Sequence, residues 1–173
     1  MDPFVRLAKT EDIPRIIELS RECIADSISP FRNDKPEEAQ DHWKKILQTF
    51  LTTESLPLAD TRRILVLEDR STGEFIGYLT FMVDQINWIS AEKETFFLDM
   101  GIIPKYRGKG LWKLLFAEGE ALARHKGNLF IAGAITATNR RSLQLHLNSG
   151  YRIEKYGMVK RLSQDSETKP QTS

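Results

Sequence analysis

"PKYRGKGLWK", residues 104–113, joins two apolar runs of different periodicity. Upstream, "TFFLDMGII" (95–103) reads as a largely apolar, central strand that Pro104 ends. Downstream, Leu111, Leu114, Leu115 and Leu122 recur at helical spacing, and Gly127 supplies a C-terminal cap. The segment is therefore a strand-to-helix turn. Gly108 and Gly110 let its backbone take unusual dihedrals and approach a ligand closely. Lys105, Arg107, Lys109 and Lys113 add positive charge, and the first N–H groups of the helix sit unpaired at the positive end of its dipole. A pyrophosphate needs such a combination. Taken alone, the same residues also describe a tight glycine turn with solvated lysines.

Working outward, "FVRLA" (4–8) is a short strand, and Thr10 caps a helix carrying Ile13, Ile16, Ile17 and Ile24, with Pro14 in its first turn. "DKPEE" opens a second helix over 35–52, with Asp34 as cap, Glu37 completing a capping-box-like pair, and Ala39, Trp43, Ile46, Leu47 and Phe50 on one face. "RILVLED" (63–69) and "FIGYLTFMV" (75–83) form a hairpin around Gly73. Beyond the central turn, "NLFIAGAIT" (128–136) is another buried strand. Asn139 or Thr138 opens a helix with Leu143 and Leu147 on one side, stopped by Gly150, and "YRIEKYGMVKRL" (151–162) is strand-like. The order β-α-α-β-β-β-α-β-α-β predicts an α/β (α+β) fold, a mixed, mostly antiparallel sheet of six to seven strands with about four helices on both faces. Glu118 falls inside the apolar arc of the helix after the turn, where a carboxylate needs a partner such as an arginine.

At 173 residues, with 40% hydrophobic and 28% charged residues, the chain reads as one domain over 1–162 and a polar, disordered tail over 163–173. A net charge of +1 disfavours nucleic acid as a partner. A single cysteine, Cys23, excludes a disulfide framework and a cysteine-based metal cluster, so no metal is expected. No apolar run approaches the ~20 residues of a membrane span, and the N-terminus lacks a signal-peptide core, so no membrane partner and a cytoplasmic location are expected.

The turn does not match a P-loop, because Leu111 follows Gly110 where Lys is required, nor a dinucleotide fingerprint, which needs a third glycine. It resembles motif A of the GNAT superfamily of acyl-CoA-dependent N-acyltransferases. That signature (Arg or Gln, two residues, Gly, one residue, Gly or Ala) falls on Arg107, Gly110 and, as a departure, Trp112. "NRRSLQLHLNSGY" is similar to the family's next motif through Asn139, Ser142, Leu145, His146, Gly150 and Tyr151. The likeness is specific over about 96–156 and architectural before that.

The resemblance implies acetyl-CoA as cofactor, with the strand ending at Ile102 splayed from 128–136 and pantetheine on the backbone of Met100 to Ile102. The N–H groups of Arg107, Gly108, Lys109, Gly110, Leu111 and Trp112 would hold the pyrophosphate while the Trp112 ring packs on its own helix. Asn139 would touch the cofactor arm, cap its helix, or do both. His146 stands where the family often has the tyrosine thought to protonate the departing thiolate, and is otherwise an ordinary helix residue. The family's base position falls on Phe96; Glu92 and Glu94 lie near it, and Asp99 sits mid-strand, where a carboxylate is either paired or functional. A water chain could replace a dedicated base. The implied reaction is N-acetyl transfer to the amine of a small molecule or peptide by direct attack in a ternary complex, with Cys23 away from the sulfur. The alternative is a catalytically silent CoA-binding regulatory domain. Phe31, Trp43 and Trp88 would wall the acceptor site. Asp34, Glu37, Glu38 and Asp41 hint at cationic substrates or simply solvate a helix. One strand after Gly150, where the family often has two, leaves that side open or completed by a second subunit, as in a homodimer.

Overall fold

The computed structural model describes residues 1–32, 35–52 and 61–162. The Asp34 cap, the Phe50 side chain and the 163–173 tail lie outside the described residues. Five strands, β1 (Pro3–Leu7), β2 (Arg62–Asp69), β3 (Glu74–Ile86), β4 (Lys93–Ile102) and β5 (Phe130–Gly133), form one sheet in chain order. The first four are antiparallel, and β5 joins β4 in parallel. Among the described residues the α-helices are α1 (Ile13–Ile24), α2 (Pro36–Thr52), α3 (Trp112–His125) and α4 (Arg140–Asn148).

Strand alternation sorts the core into two layers. Leu65, Leu67, Leu79, Phe81 and Phe97 turn to one face, where Leu111, Leu115 and Phe116 of α3 cover them. Ile64, Val66 and Tyr78 turn to the other face and meet Ile16 and Leu19 of α1 and Leu47 of α2. Phe97 bridges Phe81 and Phe116 with ring centroids 5.7 and 5.3 Å apart. Tilted and edge-on pairs of this kind add about 0.5–1.5 kcal/mol each beyond area burial. Helices on both faces match the expected architecture; the strand count does not.

Residues 151–162 form no strand. Their alternation breaks at Gly157, and Glu154–Lys155 and Lys160–Arg161 put charge on both sides of any strand drawn through them, so no consistent face exists to bury. β5 is also shorter than 128–136. Asn128 is drawn out of the strand: its Oδ1 accepts from Asp84 N (3.0 Å) and Thr95 Oγ1 (3.1 Å), and its Nδ2 donates to Asp84 Oδ1 (2.9 Å). At the other end of the chain, Thr10 does not cap α1. It begins a short 3-10 turn (Thr10–Asp12), and Asp12 binds both Lys9 N and the Arg6 guanidinium. The apolar arc of α3 runs through Leu111, Leu115, Phe116, Gly119 and Ala123, leaving Glu118 exposed rather than buried.

One irregularity positions the site. In the β3–β4 register Phe81 faces Phe97 and Thr80 faces Asp99, so Leu98 is an extra residue, a β-bulge. Unbroken alternation would place Phe97, Asp99 and Gly101 on one face. Instead, Phe97 packs with α3, while Gly101 abuts Tyr78 and Leu19 on the α1 face, and Asp99 bonds Tyr78 there.

Candidate active site

β4 and β5 pair only from Glu94–Phe130 to Phe97–Gly133 and then part. A cavity of about 400 Å³ opens at the parting, bounded by α1, α2, the second half of β4, the 106–112 turn, α3 and α4. Ile103 N donates to Ile76 O of β3 (2.9 Å). Alternation then directs the amide groups of Met100 and Ile102 away from β3, into the parting.

At the turn, Gly108 (φ +78°) and Gly110 (φ +72°) take the left-handed conformation that side-chain-bearing residues avoid. The N–H groups of Gly108 through Trp112 have no hydrogen-bond partner among the described residues. This row of unpaired donors at the start of α3 fits a diphosphate. Charge around it is partly spoken for. Lys105 pairs with Glu74, which raises its pKa, and the Tyr106 hydroxyl donates to the same carboxylate at 2.7 Å. Lys109 stands 5.0 Å from the Tyr106 ring, and Lys113 stands 5.8 Å from the Trp112 ring. Arg107 donates from Nε to Ile102 O (2.7 Å) and from Nη2 to Glu22 (3.2 Å), tying the turn to β4 and α1. Trp112, bulky where the motif has a small residue, rests edge-on against Phe116 one turn along, with centroids 5.2 Å apart.

Asp99 lines the opposite wall. Its carboxylate accepts the Tyr78 hydroxyl, whose ring sits against Gly101; a Cβ at 101 would lie 2.7 Å from Tyr78 Cε1. Burial pushes the Asp99 carboxyl up to about 6, and the Tyr78 hydrogen bond, the Met100 N–H and the Trp43 indole oppose that rise. The buried Trp43 Nε1 closes no hydrogen bond of ordinary geometry, yet lies near enough to favour the charge. Burial likewise pushes Tyr78 up, so it stays a phenol and a donor. Cys23, expected away from the transfer centre, lines this cavity too, and burial, followed by the charge of Asp99, pushes its thiol up to about 12. A thiol held protonated is a poor nucleophile.

Asn139 accepts from Ser142 N (3.0 Å), capping α4, and also lines the cavity. His146 lies about two turns further on, between Phe116 and Tyr151 (centroids 5.3 and 5.0 Å). Its Nδ1 is 2.8 Å from Ser142 O. A carbonyl only accepts, so Nδ1 carries the proton, and Nε2 is bare in the neutral ring.

The cavity thus gathers Asp99, Met100, Ile102, Arg107, Gly108, Gly110, Leu111, Trp112, Asn139 and His146. It does not take in Lys109, nor Glu92, nor Glu94, which accepts from Asn87 Nδ2 (3.2 Å) about 17 Å up the strand from Asp99. Of the three aromatic residues expected to wall it, Trp43 does; Phe31 and Trp88 are exposed elsewhere. Sequence reading missed Tyr78. Its signal was a lone hydroxyl inside the apolar run 75–83, which needs a partner once buried.

A sheet parted between two parallel strands, with a helix start left unpaired beside the gap, is the framework of an acyltransferase. The model of the Acetyltransferase (GNAT) family matches residues 18–151, and the chain belongs to that family. No curated protein matched the sequence. Among solved structures, a Pyrococcus furiosus chain provisionally named an acetyl transferase is similar at 19% identity and a TM-score of 0.72, over 93% of this chain and 100% of that one. An aminoglycoside N-acetyltransferase in complex with CoA is similar at 16% and 0.65, over 92% and 94%. A Trypanosoma brucei acetyltransferase is similar at 18% and 0.61, over 93% and 100%. At these identities the likeness is one of fold.

Proposed function

We propose that the chain moves an acetyl group from acetyl-CoA to a primary amine by direct attack in a ternary complex, with Asp99 as proton acceptor. The observation that carries this reading is a half-buried carboxylate, with its pKa raised to about 6, in the wall of the parting between β4 and β5. Acetyl-CoA supplies the activated acyl thioester; the chain supplies the grip, the orientation and the route for the proton.

The unpaired N–H groups from Gly108 to Trp112 would hold the pyrophosphate, and the Ile102 N–H, on the edge of β4 beyond its pairing with β5, would align the pantetheine and polarise the acyl oxygen. Arg107 acts as a brace: its guanidinium keeps Ile102 O and the turn in fixed relation. Asn139 orders the start of α4 beside the arm.

Magnitudes favour a proton acceptor over a proton donor. An ammonium of pKa ~10 is deprotonated to about one part in a thousand at pH 7, a deficit of ~4 kcal/mol, whereas a thiol of pKa ~8.5 already leaves readily. Lifting the Asp99 carboxyl from 3.8 to about 6 narrows its mismatch with the ammonium by roughly 3 kcal/mol while leaving it ionised at neutral pH. Asp99 therefore receives the proton as the N–C bond forms and the C–S bond breaks. His146 is placed to give a proton to the leaving sulfur only as an imidazolium, because the neutral ring's proton is held by Ser142 O. The acidic wall of Glu22, Asp26 and Asp99 suits an amine that arrives charged, as a small molecule or a peptide terminus or side chain.

The test is release of free thiol from acetyl-CoA with a panel of amines, comparing the natural chain with Asp99→Asn. Amine-dependent release lost in the variant supports the reading. CoA binding without release from any amine favours the silent binding domain instead.

A further inference from the structure

Trp43 Nε1 is a buried donor with no acceptor at ordinary hydrogen-bond geometry among the described residues. The side chain comes from α2 and, among the described residues, is the only one of that helix to line the cavity. Leu47, one turn further along α2 and fully buried, fixes which face of the helix turns inward. The Trp43 ring packs there against the layer that holds Ile16, Leu19 and Tyr78. Few groups in that layer can accept a hydrogen bond. The Tyr78 hydroxyl gives its proton to Asp99, and the Cys23 thiol is a weak acceptor. An indole N–H only donates, and leaving it buried without an acceptor is destabilising.

Three carboxylates line the same cavity, those of Glu22, Asp26 and Asp99. Glu22 is paired with Arg107 at 3.2 Å. Asp99 is the carboxylate whose charge the Trp43 N–H favours. A carboxylate offers about four acceptor positions. The Tyr78 hydroxyl occupies one on Oδ2, and the Met100 N–H serves a second. A donor from α2 takes a third and stops the carboxylate from turning about its last bond.

We propose that Trp43 is a positioning residue: its indole N–H closes on Asp99 as charge develops there, leaving one lone pair turned to the incoming amine. The catalytic consequence rests on the acetyl-transfer reading, whereas the hydrogen bond itself does not. Other titratable groups face Asp99 from each element around it: Tyr78 of β3, Glu22 and Cys23 of α1, Asp26 beyond that helix, and Arg107 of the turn. Burial pushes the Tyr78 phenol and the Cys23 thiol well up, so both stay protonated where Asp99 ionises. Glu22, Asp26 and Arg107 all remain in Asp99→Asn, so that variant separates their influence from that of Asp99.

The test follows the Trp43 indole proton by NMR in the full chain, from about pH 5 to about pH 8. The chain has three tryptophans, and Trp88→Phe and Trp112→Phe assign the third signal by elimination. The expected result is a downfield shift as pH rises through about 6, because an ionised acceptor makes the stronger bond, and no shift in Asp99→Asn. A signal that ignores pH overturns the proposal. So does one that moves equally in Asp99→Asn, where another group such as the exposed His42 of α2 would drive it.

Trp43→Phe keeps an aromatic ring and removes the donor. It should lower kcat/KM about two- to tenfold on the acidic side, with the plateau and KM for acetyl-CoA nearly unchanged. An equal loss at every pH overturns the positioning role in favour of packing alone. An indole that follows Asp99 in a chain releasing no thiol with any amine upholds the hydrogen bond and overturns the acetyl-transfer reading instead. Amine-dependent release beside an unresponsive indole does the reverse.

Discussion

The Tyr78 hydroxyl donates to Oδ2 of Asp99 across the β3–β4 pair, on the α1 side of the sheet. That bond favours the ionised carboxylate. Tyr78→Phe should therefore raise the Asp99 pKa above about 6 and move the acidic limb of kcat/KM to higher pH, with the plateau reduced less than about tenfold. Asp99→Asn should lower the plateau by about a hundredfold or more and remove that limb. Profiles of kcat/KM against pH for one amine, taken on all three proteins, check both outcomes. An unmoved limb in Tyr78→Phe would sink the assignment.

The same carboxylate should cost stability where it is charged. Its folded-state pKa is raised from 3.8 to about 6, so the folded chain holds this proton more tightly than the unfolded chain. The contribution is fully present below the unfolded value and is lost as pH rises through 6, leaving an ionised group that costs up to about 3 kcal/mol at neutral pH. Asp99→Asn should raise Tm, and by more at pH 7.5 than at pH 5. Thermal unfolding at the two pH values measures the difference.

Gly110→Ala tests the turn. Nothing lies within 4 Å of the added methyl, but φ of +72° is costly for alanine, by about 1–2 kcal/mol. Strain relieved by a shift of the turn would misalign the row of amides. KM for acetyl-CoA should rise about five- to thirtyfold with kcat nearly unchanged. Gly108→Ala, at φ +78°, should behave alike. Steady-state kinetics with the amine saturating separates the two constants.

His146→Ala should lower kcat by less than about tenfold and leave the basic side of the pH profile in place, because the neutral ring has no free proton to give. A loss approaching a hundredfold, restored in part when the acetyl group is carried on a better leaving thiol, would return His146 to the role of proton donor.

Much of this was legible in the residues themselves. The turn at 104–113 and the helix opened by Asn139 were readable because glycines, a proline and a capping asparagine act locally, through dihedral limits and one short hydrogen bond. What escaped depends on register. Nothing in "TFFLDM" marks Leu98 as the extra residue; the bulge exists only against the partner strand. The Asn128 contacts that shorten β5 reach across 44 and 33 positions. The segment 151–162 carries strand-forming residues, but strand propensity is realised only where a consistent face can be buried, and Glu154–Lys155 and Lys160–Arg161 leave none.

The extra residue at Leu98 divides β4 into two phases. Before it, odd-numbered side chains such as Phe97 face α3; after it, Asp99 and Gly101 face α1, and Met100 and Ile102 take the α3 side. Losing or gaining one residue there would exchange a carboxylate for an apolar wall in the cavity without disturbing the turn that begins at Pro104. The acceptor half and the carrier half of the site are thus separately editable, which gives the chain a cheap route to a new amine while its grip on the acyl donor stays as it is.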